Sequence, residues 1–173
     1  MSDEAVAALL RSDQPLVLVE AAAGCGKTYQ GASYAKDAMT TLGDGRLLIL
    51  THTHAACSVF AERTKGAGSR VEIKTIDALI MQIATAYHQA LGLPSDLSSW
   101  AWRDNGNGFS VMAAKVAAFL GDHPMVAKAL ATRYPVVVCD EHQDSSADQH
   151  EVVMALHRGG AMLGIGEEMA AAV

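Results

Sequence analysis

The stretch Leu16-Val-Leu-Val-Glu-Ala-Ala-Ala-Gly-Cys-Gly-Lys-Thr28 sets a short apolar run, a loop of small residues and a helix start end to end. The Leu/Val run lacks polar alternation, as expected of a parallel strand covered on both faces. Gly24 and Gly26 allow backbone conformations and a close approach that a Cβ would hinder, so successive N–H groups can turn toward an anion. A helix beginning at Lys27 adds the positive end of its dipole. Lys27 is placed to neutralise β and γ phosphate oxygens, and the Thr28 hydroxyl to ligate Mg²⁺. Ala23, Gly24, Cys25, Gly26, Lys27, Thr28 and Tyr29 therefore form the expected nucleotide-binding stretch, matching the P-loop pattern G-x-x-x-x-G-K-[ST] except that Ala21 takes the first Gly position.

Working outward, four more apolar runs read as strands: Leu47 to Leu50, Val71 to Lys74, Val136 to Cys139 and Ala161 to Ile165. Helical patterns over Lys27 to Thr41, Ala55 to Lys65, Ile76 to Leu91 and Asp148 to His157 alternate with them. Such alternation predicts an α/β fold, a parallel sheet with helices on both faces. From Gly92 to Tyr134 the alternation breaks. Leu-Pro-Ser-Asp and the Asn-Gly-Asn-Gly at 105 to 108 read as turns, followed by helical patterns from Val111 to Leu120 and Met125 to Thr132. Residues 92–134 are thus expected to be a small helical insertion in a core made of 1–91 and 135–173. Trp100 and Trp102 are expected to pack this insertion on the sheet, base stacking being the alternative.

The strand Val136-Val-Val-Cys139 runs straight into Asp140-Glu-His-Gln-Asp144, which delivers carboxylates to the carboxyl end of the sheet, where open α/β folds bind ligands. Asp140 is placed to hold Mg²⁺ and Glu141 to orient or deprotonate the water that attacks a γ-phosphate. Capping of the helix near Asp148 is the simpler use for an acidic turn.

The charge balance, 13 Lys and Arg against 19 Asp and Glu, opposes nonspecific attraction to nucleic acid, so any such contact has to be local. Cys25, Cys57 and Cys139 form no CxxC pair, which points to reduced thiols and a cytoplasmic setting. The acidic start, MSDEAVAALLRSDQ, lacks the basic flank of a signal peptide, and no stretch approaches the roughly 20 apolar residues of a membrane span. The seven histidines lack zinc-site spacing; His52-x-His54 is the nearest approach to it.

Taken together, these motifs resemble the first RecA-like motor domain of UvrD/Rep-type superfamily 1 DNA helicases. Ala21-Ala-Ala-Gly-Cys-Gly-Lys-Thr28 is similar to the family's A-G-x-G-S-G-K-T, in which Ala opens the motif. Thr51-His-Thr-His-Ala-Ala56 resembles T-F-T-N-x-A, and Lys74-Thr-Ile-Asp-Ala-Leu79 resembles T-x-H-[SG]-L, with Asp77 for His. The resemblance implies single-stranded DNA contacts at Thr51, Thr53, His54 and Thr75. Asp140-Glu-His-Gln-Asp144 with Gln149 is similar to D-E-x-Q-D-x(4)-Q, which implies that Gln143 relays the presence of the γ-phosphate. Gly164-Ile-Gly166 resembles the start of V-G-D-x-x-Q-x-I-Y, with Glu167, Ala170 and Val173 departing from it. No adenine-reading Gln stands about twenty residues before Lys27.

The resemblance covers one motor domain of two. It implies an ATPase of DNA helicase type with ATP and Mg²⁺ as cofactors, weak alone and unable to unwind DNA without a second motor domain or partner protein. Two other readings stand beside it: a noncatalytic nucleotide-binding module, and a small-molecule P-loop kinase. For the latter, Arg63, Arg70, Arg103 and Arg133 form no clear lid motif.

Overall fold

A computed structural model of the chain describes residues 4, 7, 8, 11, 12, 14–21, 26–66, 68, 70–103 and 107–168. The side chains of 21, 27, 28, 39–41, 103 and 168 are outside that description. Five strands, β1 (Leu16–Ala21), β2 (Leu47–Thr51), β3 (Val71–Thr75), β4 (Val136–Cys139) and β5 (Met162–Glu168), form one sheet in the order β1-β5-β4-β2-β3. Every pairing is parallel. The helices among the described residues include, in chain order, α1 (Lys27–Thr41), α2 (His54–Arg63), α3 (Ile76–Tyr87), α4 (Leu97–Arg103), α5 (Asn107–Asp122), α6 (Pro124–Arg133) and α7 (Ala147–Arg158).

The parallel α/β sheet read from the sequence is the fold observed, and all five strands lie where their apolar runs put them. Strand β2 explains why: Leu47, Leu48, Ile49 and Leu50 are all fully buried, so alternate residues serve opposite faces. Leu48 and Leu50 join Val137, Cys139, Leu163 and Ile165 beneath α3, α5 and α7. Leu47 and Ile49 join Val19, Val136 and Val138 beneath α1 and α2, around Tyr34 and Phe60. Each such Leu or Ile contributes about 1.5–3 kcal/mol through burial.

The helix ends obey local chemistry. Thr53 caps α2 and Thr75 caps α3, each hydroxyl oxygen accepting a backbone N–H three residues on. Pro124 opens α6 and Arg133 closes it. In α7, Ser146 and Gln149 form a capping box, with Asp148 in the first turn and His157 and Arg158 in the last.

The region read as an insertion differs in detail from the sequence expectation. Leu97–Arg103, taken there as part of a turn-rich stretch, is a helix, and Asn107 and Gly108 open α5 instead of turning the chain. Gly108 is needed for contact: a Cβ there would sit 2.5 Å from the Ala101 Cα, so glycine lets α4 and α5 touch. Leu93, Leu97, Ala101, Met112 and Val116 share one apolar cluster with the sheet. Trp100 packs against that cluster, whereas Trp102 is 72% exposed and meets the Phe109 ring edge-on, with centroids 5.3 Å apart.

Candidate functional site at the carboxyl edge of the sheet

Register places the two motif-bearing strands on either side of β5. Glu20 of β1 lies opposite Glu167, and Cys139 of β4 opposite Ile165, so both strands release their loops at one edge. Residues 22–25 are outside the described set, and the expectations for Ala23, Gly24 and Cys25 fall there, as do those for Ala170 and Val173. The backbone on the far side of the loop is described. Gly26 is the N-cap of α1 at φ 81° and ψ 15°, a left-handed conformation that L side chains resist, and among the described residues no side chain caps this helix. Gly26 itself brings no side chain to the first-turn N–H groups, and helix starts of this kind are where anions bind. Tyr29, one turn in, is 64% exposed.

Asp140 follows β4 directly and is only 6% exposed. Its N–H donates to the Leu50 carbonyl at 2.9 Å, which extends the β4–β2 ladder by one bond and fixes the turn. A cavity of about 30 Å³, lined by Val19, Gln30, Gly31, Phe60, Asp140 and Gly166 among others, joins the start of α1 to this carboxylate. Gly166 lies close by, where a Cβ would sit in ordinary contact, 3.5 Å from Asp140 Oδ1. A buried carboxylate near the start of a helix has the hard oxygen chemistry that suits a cation such as Mg²⁺, and the Thr28 side chain expected beside it lies outside the described ones.

Glu141 is the single non-glycine residue with positive φ among the described residues, at 54°. That conformation costs roughly 1–2 kcal/mol for a residue with a Cβ, and such strain concentrates at functional sites. Its carboxylate accepts a hydrogen bond from Gln143 Nε2 at 2.6 Å, and a short 3₁₀ turn over His142–Asp144 follows.

His142, the variable position of the acidic motif, turns inward and is 4% exposed. Its Nδ1 lies 3.2 Å from Cys139 Sγ and 3.1 Å from Ser145 Oγ, while its Nε2 shares a 2.8 Å hydrogen bond with His150 Nδ1. Ser145 Oγ in turn reaches His52 Nε2 at 3.1 Å. Burial, then the neighbouring His150 and His52, pushes the His142 pKa down to about 4, so the ring is neutral at neutral pH. Burial also pushes the Cys139 thiol far up, with Asp140 and Glu167 adding to the effect, so this cysteine stays protonated. His52, Ser145, His142 and His150 therefore form a hydrogen-bonded chain from the β2–α2 connection to α7. The sequence reading weighed the histidines as metal ligands and missed this link. His142 directly after a buried strand and two carboxylates was the available signal.

Of the four residues expected at a nucleic acid, Thr51 is 1% exposed and donates to the Thr53 carbonyl at 3.1 Å. Thr53 and Thr75 accept their capping N–H groups at 3.1 Å each, and His54 opens α2 exposed. Asp77, which stands where the helicase motif has His, accepts a hydrogen bond from Gln149 Nε2 at 2.7 Å and so ties α3 to α7.

Residues 3–171 match the model of an AAA domain family, AAA_19. The chain belongs to this AAA domain family. No curated protein matches it. The family match and the parallel sheet together make this a P-loop NTPase domain, a fold whose shared business is nucleotide binding. Among the described residues of this AAA domain, no helix is long and apolar enough to cross a membrane.

Proposed function

We propose that this AAA domain binds ATP with Mg²⁺ and hydrolyses it as the core of a UvrD/Rep-like DNA helicase motor, weakly when alone. The observation that carries this reading is the meeting, around one small cavity, of an uncapped α1 start and the buried Asp140, next to a strained Glu141. Lys27 and the backbone from Ala23 to Tyr29 hold the triphosphate. Thr28 and Asp140 hold Mg²⁺, which would shield the charge of the β and γ oxygens when bound. Glu141 takes the proton of the attacking water, and Gln143, already bonded to that carboxylate, reports on the γ-phosphate. The loop of Thr51, Thr53 and His54 and the start of α3 at Thr75 form the edge offered to single-stranded DNA, and a second motor domain or partner protein completes the cleft.

The engagement of Thr51, Thr53 and Thr75 within the fold favours a second reading, a nucleotide-binding module that docks a partner without turnover. ATP turnover with and without single-stranded DNA separates the two. Wild type should turn over ATP and respond to DNA, and Glu141→Gln should lose about 10²- to 10⁴-fold while still binding nucleotide. Lys27→Ala should lose both. Equal turnover in all three proteins sinks the assigned site, and nucleotide binding without turnover in wild type selects the module.

A further inference from the structure

The amino edge of the sheet, opposite the nucleotide site, gathers cations in a chain whose formal charge is -6. Arg46 precedes β2, Arg70 precedes β3, and Arg133 ends α6 just before β4. Backbone bonds hold them side by side: the Arg46 N–H donates to the Arg133 carbonyl at 2.8 Å, and the Leu47 N–H to the Arg70 carbonyl at 2.9 Å. The three side chains line an open hollow of about 550 Å³ together with Gly43, Asp44 and Gly45.

Each guanidinium is fixed by something other than an equal negative charge. Arg70 donates to the carbonyls of Leu42 at 2.7 Å, Gly45 at 3.3 Å and Gly43, groups that anchor it without neutralising it. Arg46 and Arg133 share a single carboxylate, Glu72 Oε2, at 3.3 and 3.6 Å, and Arg133 also lies over the Tyr134 ring. That carboxylate is further divided, because Lys74 sits 2.5 Å from Oε1 and the Tyr134 hydroxyl donates to it at 3.0 Å. Burial opposes ionisation of Glu72, but the Lys74 and Tyr134 hydrogen bonds and the Lys74 and Arg133 charges outweigh it and hold its carboxyl below the usual range. Among the described residues, Asp44 is thus the one carboxylate lining the hollow beside three arginines, and Arg46 and Arg133 share Glu72 with Lys74. The Arg46 and Arg133 side chains remain half exposed.

Clamping of the sheet edge accounts for Glu72 with one or two of these partners. It leaves unexplained why three guanidiniums converge on one hollow with so little opposing charge. Planar forks already held in place lose little freedom on meeting an oxyanion, which is what makes arginine the usual partner of phosphate.

We propose that the hollow between Arg46, Arg70 and Arg133 is a second anion site, separate from the P-loop, that takes a phosphate-bearing ligand. The phosphate can come from a small phosphorylated compound or from a nucleic-acid backbone, both of which present the same oxygens. The site does not depend on the reading of the nucleotide cleft.

Inorganic pyrophosphate without Mg²⁺ is the probe, titrated into the full chain carrying Lys27→Ala so that the P-loop is silenced. Binding should persist in that protein, with shifts of the Arg46, Arg70 and Arg133 Nε–Hε signals in its nitrogen–proton NMR spectrum. Adding Arg46→Gln and Arg133→Gln should weaken binding about tenfold or more. Affinity that is unchanged by the two glutamines, or arginine signals that stay still through the titration, overturns the proposal; the spectra give this answer even if the glutamine variant fails to fold. A labelled thymidine oligomer names the source. Its displacement by pyrophosphate assigns the nucleic-acid backbone, and pyrophosphate binding without oligomer binding assigns a small phosphate compound, the site standing in either case.

Discussion

Two connections leave the carboxyl edge of the same sheet for a helix, and they are finished in opposite ways. The path from β1 reaches α1 through Gly26, left-handed and with no side chain on the helix end. The path from β4 reaches α7 through a turn whose polar groups are taken up internally. Gln143 meets Glu141, His142 meets Cys139, Ser145 and His150, and Ser146 and Gln149 close a capping box. The starts of α2 and α3 are likewise capped, by Thr53 and Thr75. Helix N-termini carry N–H groups that need acceptors. At α2, α3 and α7 a side chain supplies an acceptor, whereas at α1, among the described residues, no side chain caps the helix. The contrast separates a helix end that glycine leaves without a side-chain cap from a turn whose side chains are bonded to one another.

The largest expected effect lies in the wired turn. His142 is held neutral, with a folded pKa of about 4 against an ordinary value of 6.5. As pH falls, the unfolded chain takes up this proton first. The stability that neutral His142 secures is therefore complete above about pH 6.5 and is lost as pH falls through that window toward 4, up to about 3 kcal/mol in all. Urea unfolding of wild type between pH 7 and 4, set against His142→Gln, should show a steeper loss in wild type by up to one proton. Parallel curves would mean that His142 is as accessible to protons folded as unfolded, and the contrast between the two connections would lose its buried half.

The open connection should respond differently. Gly26→Ala puts a Cβ on a residue at φ 81° with no neighbour within 4 Å, so its cost is conformational and not steric, roughly 1–2 kcal/mol. Because α1 has no cap to lose, nucleotide affinity should fall along with stability, measured by titration beside a denaturation curve. Full affinity in a destabilised variant would show that the loop reaches its binding geometry without a left-handed Gly26.

How far this contrast was legible in the sequence follows from its causes. Strands such as β2 announce themselves because burial on both faces leaves Leu47 to Leu50 without a polar residue. Asp140 and Glu141 were legible because they stand at the end of such a run. The helix Leu97–Arg103 was not, since its Ser-rich, seven-residue span carries little periodicity and its place is set by the contact of Ala101 with Gly108. Nor was the use of Asp77, whose partner Gln149 is 72 residues away and is brought near only by the packing of α3 and α7 on one face. Local chemistry shows in local sequence, whereas the partners of a side chain depend on topology.

Glu141 gives the smallest effect and the sharpest separation of stability from chemistry. A residue with a Cβ held at φ 54° is there against its backbone preference, and Asn tolerates that region better than Glu. If the strain serves only to aim the carboxylate, Glu141→Asn should keep or raise stability, by up to about 1 kcal/mol, while abolishing ATP turnover. The exposed Gln143 contact that it removes is worth too little to reverse the sign, since Gln143 can turn to water. Denaturation midpoints for Glu141→Asn and Glu141→Gln decide the matter, because Gln keeps the strain and loses the charge. A gain in the Asn variant alone locates the strain in the backbone at position 141. Equal destabilisation of both would show instead that the carboxylate holds the β4–α7 turn together, so that the turn is built around Glu141 and does not impose a conformation on it.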